Sequence, residues 1–204
     1  MDRAAETDLE YVRRVAEAGA AAPLLGGRFM AWWGGLAALA YALHHFALRG
    51  AFGPDLSVFG YLWIGFAILG LAGQWLILRT MPRKPGSGSA ANRSSPTVWG
   101  AGAGAIAAFL LGTIAAVASG ASAAMFDFSV PLVFAVYGCA LAVTGALAAN
   151  RVMSAAAFGA IVMVGVAAAF ISDPNRYLFA AAGAALTVLL PGLLLLRAEP
   201  AHAG

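Results

Sequence analysis

The chain has 204 residues, of which 62% are hydrophobic and only 10% are charged, and its mean hydropathy is +0.84. Soluble domains usually carry about 25% charged residues, so a soluble fold of this length could not bury so much apolar surface. The net charge of +3 comes without a basic stripe interleaved with aromatics, so nucleic acid is not an expected partner. The composition instead predicts an integral membrane protein surrounded by the lipid bilayer.

Residues 1–28 are predicted to be a cytoplasmic N-terminal amphipathic helix and hinge. The segment carries five acidic residues and lacks the apolar run of a signal peptide. Thr7 and Glu10 form a T-x-x-E capping box, and apolar residues follow at helical spacing. Two roles fit residues 7–20: a short helix lying at the membrane interface, or a docking helix for a cytoplasmic protein partner.

Six uncharged and mostly apolar stretches follow, each close to the roughly 20 residues that a spanning helix needs. Their apolar runs are continuous rather than alternating, which favours α-helices over barrel strands. The predicted fold is an all-α integral membrane protein, a six-transmembrane-helix bundle of three successive hairpins over residues 29–197. The predicted spans are residues 29–48, 57–78, 97–119, 130–149, 152–172 and 177–196. A flexible cytoplasmic loop is expected at 79–96 and a cytoplasmic tail at 198–204.

The basic residues predict the orientation of this bundle. With an even number of crossings, only Arg49 and Arg176 fall on one side, and the other ten of the 12 Lys and Arg residues share the opposite side. Basic residues concentrate in the cytoplasmic loops of membrane proteins. Both termini and the 79–96 loop are therefore expected in the cytoplasm. The Ala- and Gly-rich composition suits a bacterial inner membrane.

A ridge of small residues runs along the third span. Its members recur every four residues and are Gly100, Gly104, Ala108, Gly112 and Ala116. Such a ridge lets helix backbones approach closely in lipid. We expect it to place this helix at the centre of the monomer's bundle, and a homodimer seam is the alternative.

Two further positions stand out within the spans. Pro191 lies in the sixth span, where its missing N–H should free the carbonyl of Thr187 and kink the helix. Gln74 is one of a few polar side chains in the spans. These polar groups suffice for hydrogen bonds between helices, but they do not resemble the ionisable relay that ion-coupled transport uses.

His44 and His45 lie at the outer end of the first span. Consecutive helical residues point about 100° apart, so these two cannot easily share one small metal site. We expect interfacial histidines with hydrogen-bond partners. The sequence has no H-E-x-x-H motif, no P-loop and no Asp within a span, so no catalytic, cofactor-binding or metal-binding residue is predicted.

Three functional hypotheses follow. The favoured one is a non-enzymatic membrane component that senses, regulates or assembles with a partner through its cytoplasmic tail and loop. The alternative is a small permease or carrier for a neutral or hydrophobic solute, favoured by the Gly-rich spans and by Pro191 in the sixth span. The third is a membrane-embedded enzyme or redox protein, which rests on His44 and His45 alone.

Overall fold

The computed structural model describes residue 10 and residues 23–81 and 86–199 of the chain. Within that part every regular element is helical, so the predicted all-α bundle is confirmed. The helices are α1 (Gly27–Leu48), α2 (Ser57–Thr80), α3 (Ala90–Ala118), α4 (Ser129–Leu147), α5 (Arg151–Ala169), α6 (Arg176–Ala184) and α7 (Leu190–Ala198). A 3-10 turn, Ala123–Phe128, precedes α4, and a π-helical turn, Ala185–Leu189, joins α6 to α7. The helix predicted over residues 7–20 lies outside the described residues, Glu10 excepted.

Among the described residues, five helical segments are long and apolar enough to cross a membrane, so the chain is a multi-pass helical membrane protein. They are Ser57–Thr80, Ala90–Ala118, Ala123–Leu147, Arg151–Ala169 and Arg176–Ala198. The remaining helix, α1, has 22 residues and is also long enough. Its indole, phenol and imidazole groups lower its hydropathy. These groups face protein, because α1 packs against α2, α6 and α7.

We call α6, the π-helical turn and α7 together the last helix (Arg176–Ala198). The backbones of α1 and of the last helix touch in the interior of the bundle. A Cβ atom on Gly192 would lie 2.5 Å from the backbone nitrogen of Ala31, and one on Gly27 would lie 2.8 Å from that of Leu196. A Cβ atom on Gly34 would overlap the backbone nitrogen of Leu189. Because glycine has no side chain, these positions bring the two helices into backbone contact, which gives dense packing in lipid.

The last helix is irregular just before Pro191. The π-helical turn ends at Leu189, two residues ahead of the proline, which supplies no N–H to the carbonyl of Thr187. The Thr187 hydroxyl donates to the carbonyl oxygen of Gly183 at 2.8 Å. A π turn thus lies just before the proline that is predicted to kink the helix, and Gly34 packs directly against its end.

The α2–α3 connector is shorter than the predicted 79–96 loop, because α3 begins at Ala90. The hydroxyl of Ser89 caps the helix by accepting from the backbone nitrogen of Asn92 at 3.3 Å. The Asn92 side chain also accepts from the backbone nitrogen of Leu25 at 3.0 Å and donates to the carbonyl of Pro23 at 2.9 Å. Asn92 therefore joins the start of α3 to the segment before α1.

The expectation that the small-residue ridge places α3 at the centre of the bundle is wrong. Gly100, Gly104 and Gly112 are exposed, and no heavy atom lies within 4 Å of a Cβ built on any of them. α3 packs on α4 through another face, where Gly102 lies against Val136. Helices α4, α5 and α6 supply the fully buried core instead. Its members include Phe134, Leu141, Ala160, Ala180 and Ala184.

The glycine contact between α1 and the last helix predicts a sharp difference between two neighbouring positions. Gly34→Ala should lower the free energy of unfolding by about 1–3 kcal/mol, because the new methyl group overlaps the backbone at Leu189. Gly35→Ala is the matched control, since its Cβ would meet the Leu189 side chain at an ordinary 3.6 Å. Thermal unfolding in detergent measures both. Equal melting temperatures would contradict the backbone contact.

Candidate functional site at the histidine end

The two ends of the bundle differ in charge. We call one the histidine end. It carries the connections over residues 49–56, 119–128 and 170–175, and there the Arg49 side chain donates to the Asn175 side chain at 3.0 Å. We call the other the arginine end. It carries Arg28, Arg79, Arg93, Arg151 and Arg197.

His44 lies at the centre of an aromatic cluster at the histidine end. The indole nitrogen of Trp63 donates to Nδ1 of His44 at 3.0 Å. An indole N–H can only donate, so Nδ1 must carry the lone pair and the neutral ring holds its proton on Nε2. The ring of Tyr177 stacks on the imidazole with a centroid distance of 3.8 Å, and Phe59 follows at 4.7 Å.

An ion pair lies beside the aromatic cluster, at the start of the last helix. Arg176, the first residue of α6, pairs with Asp127 from the 3-10 turn and donates to the carbonyl of Ile171 at 2.9 Å. Its guanidinium also lies 4.9 Å from the centroid of the Tyr177 ring, within reach of a cation–π interaction. We define the histidine cluster as five residues: His44, Trp63, Asp127, Arg176 and Tyr177.

His45 faces a different neighbour from His44. Its Nδ1 lies 3.1 Å from the carbonyl oxygen of Pro174, and because a carbonyl only accepts, Nδ1 must carry the proton. Nδ1 therefore accepts a hydrogen bond in His44 and donates one in His45, so the two histidines serve different contacts. Among the residues that the structure describes, no three His, Cys, Asp or Glu side chains are grouped to hold a metal ion.

The arrangement of the histidine cluster suits a structural role, in which it holds helices together. The lone pair of His44 Nδ1 is used by Trp63, and the charge of Arg176 is matched by Asp127. The cluster draws one residue each from α1, α2 and the 3-10 turn, and two from α6. It therefore joins four segments that are distant in the sequence.

Gln74 belongs to a second attachment between α1 and α2, near the arginine end. Its Oε1 accepts from the indole nitrogen of Trp33 at 2.8 Å. The indole of Trp32 donates to the carbonyl of Gly70 at 3.2 Å, and its ring covers Gly73. Both rings need a glycine opposite them, so the Gln74 region is a tight helix–helix contact.

An open apolar groove of about 280 Å³ lies between α3 and α4. It is lined by Val98, Gly102, Ala135, Val136, Cys139 and Ala140. Cys139 is a free and exposed thiol there. The lining carries almost no polar surface, so the groove suits hydrocarbon rather than a polar solute.

Sequence reasoning missed the ion pair and the stacking on His44. Asp127 and Arg176 are 49 residues apart and belong to different connections. Their signal is indirect: Asp127 is the only charge in its predicted outer loop, and Arg176 is the only basic residue in another. A predicted topology places both at the same end of the bundle, but it does not pair them.

Comparisons with family models, with curated proteins and with solved structures found no match.

The ion pair at Asp127 predicts a loss of stability on neutralising one partner. Asp127→Asn should lower the free energy of unfolding by about 1–3 kcal/mol, because Arg176 keeps its charge without a counter-ion. Asp55→Asn, at the same end, is the control. Asp55 is exposed and accepts from the backbone nitrogen and the hydroxyl of Ser57. In asparagine, Oδ1 can still accept from the backbone nitrogen, and Nδ2 can donate to the hydroxyl. Chemical unfolding in detergent measures both variants, and an unchanged midpoint for Asp127→Asn would count against the attachment role.

Proposed function

We propose that the chain is a non-enzymatic assembly component of a bacterial inner membrane, crossing the bilayer six times with both termini in the cytoplasm. The crossing that is added to the five apolar segments is α1, the first of the six in the chain. Support comes from its 22-residue length and from its packing between α2 and the last helix. The concentration of arginines at one end supports the orientation, since cytoplasmic ends of membrane proteins are the basic ones.

The observation that carries an assembly role is the contrast between two outlying helices. Within α2, which is described in full, only Gly70 is buried, and most of its outward side chains are large. Ile68 is 62% exposed and Tyr61 is 73% exposed, as befits a helix that faces lipid. α3 is just as exposed, yet its outward ridge is built of glycine and alanine, including Gly104 and Ala108.

A small-residue ridge gains little from lipid and much from another helix. Without side chains, the backbone of a partner can approach within van der Waals contact over several turns. An identical ridge is complementary to itself, so the partner we propose is a second copy of this chain, packed α3 against α3. Residues 7–20 and the α2–α3 connector remain the proposed contacts for a cytoplasmic partner.

The alternative, a permease for a neutral or hydrophobic solute, has less support. A carrier needs a path between helices, whereas α1 and the last helix are in backbone contact at Gly27, Gly34 and Gly192. Fully buried Phe134 and Leu141 occupy the core that such a path would cross. The groove at Cys139 lies to one side, between α3 and α4.

The assembly proposal predicts a specific effect of bulk on the ridge. Gly104→Leu should convert a detergent-solubilised dimer into a monomer while leaving the melting temperature of the monomer unchanged, because nothing lies within 4 Å of its Cβ position. Light scattering coupled to size-exclusion chromatography gives the mass of the protein in the micelle.

The matched control is Gly65→Leu, on the other outlying helix. Gly65 also has nothing within 4 Å of its Cβ position, so the substitution adds the same bulk without touching the ridge. The control should remain a dimer. A wild-type protein that is monomeric at every concentration, in detergent and in vesicles, would overturn the proposal.

A further inference from the structure

The arginines at the two ends of the bundle differ in what they bind. At the histidine end, Arg49 donates to Asn175, and Arg176 pairs with Asp127. At the arginine end, four guanidinium groups make no hydrogen bond or ion pair within residues 23–81 and 86–199, and a fifth lies over the Trp75 ring of its own helix at 3.9 Å. The four are Arg28, Arg93, Arg151 and Arg197, and the fifth is Arg79.

These charges lie where the apolar helices end. Arg28 is the second residue of α1, and Arg197 is the last residue but one of α7. Trp75, close to Arg79, belongs to the aromatic residues that prefer the headgroup level of a bilayer. The unpartnered guanidinium groups are therefore placed at the depth of lipid phosphates.

Two of the arginines come from helix ends that are in contact. A Cβ atom on Gly27 would lie 2.8 Å from the backbone nitrogen of Leu196. Arg28 and Arg197 are the next residues after this contacting pair, so their side chains start from adjoining backbones. A planar guanidinium donates two parallel hydrogen bonds to a phosphate, and two of them can hold one phosphodiester group.

We propose that the arginine end binds the phosphate groups of anionic phospholipids, with Arg28 and Arg197 as the principal contacts. The proposal is independent of the α3 ridge and of the assembly role. It holds for either orientation of the bundle, since both leaflets can supply such lipids in a reconstituted membrane. It also explains why Arg28 and Arg197 have no acidic partner among the described residues.

Native mass spectrometry of the full chain, released from detergent with added lipid, tests the proposal. Phosphatidylglycerol should be retained, and phosphatidylcholine with the same acyl chains should be retained far less. The double variant R28Q/R197Q should weaken phosphatidylglycerol binding about thirtyfold, which corresponds to about 2 kcal/mol at 1.4 kcal/mol per factor of ten. The variant R28K/R197K, which keeps both charges but lacks the paired guanidinium donors, should recover only part of the binding.

The matched control is Arg49→Gln, which removes an arginine from the histidine end and should leave lipid retention unchanged. Melting temperatures in phosphatidylcholine confirm that each variant is folded. Equal retention of the two lipids by the wild-type protein, or full retention by R28Q/R197Q, would overturn the proposal. So would competition by inorganic phosphate at concentrations similar to those of the lipid, because that result would assign the site to a free ion.

Discussion

Hydrocarbon offers no hydrogen-bond partner to a peptide group, and this constraint governs the whole structure. Each apolar run must satisfy its own N–H and C=O groups, which it does by coiling into a helix. The same constraint makes an irregular backbone acceptable only where protein covers it. The π turn at Ala185–Leu189 meets that condition, because Gly34 of α1 packs against its end.

The second consequence concerns α1, which is less apolar than the other long helices yet is held on several sides. Glycine contacts join it to the last helix, and two sets of tryptophan hydrogen bonds join it to α2. One set lies near Gln74 and the other at His44, toward opposite ends of the helix pair. Polar atoms of Trp32, Trp33 and His44, which lower the hydropathy of α1, thus attach α2 to the bundle.

Much of this fold could be predicted from the sequence, because continuous uncharged runs have few physical solutions in lipid. The position of α3 could not be predicted, because the four-residue spacing shows that one helix face carries small side chains but does not show what covers that face. A glycine such as Gly104 gives the same sequence pattern in a buried core and on an exposed surface. The roles of His44 and Arg176 also depend on partners far away in the chain. Local sequence carries no information about which of several helix ends will meet, so the histidine cluster became visible only with the tertiary structure.

The proposed six-span topology requires that α1 and α2 both cross the bilayer, although they differ in hydropathy. Labelling of single cysteines in intact spheroplasts with a membrane-impermeant maleimide tests it directly, in a Cys139→Ala background. Glu10→Cys, Phe52→Cys and Gly88→Cys place one thiol before α1, one between α1 and α2, and one after α2. The six-span topology with cytoplasmic termini predicts that the thiol at position 52 reacts in intact spheroplasts, whereas those at positions 10 and 88 react only after lysis. Reaction of positions 10 and 52 from the same side would show that α1 does not cross the membrane.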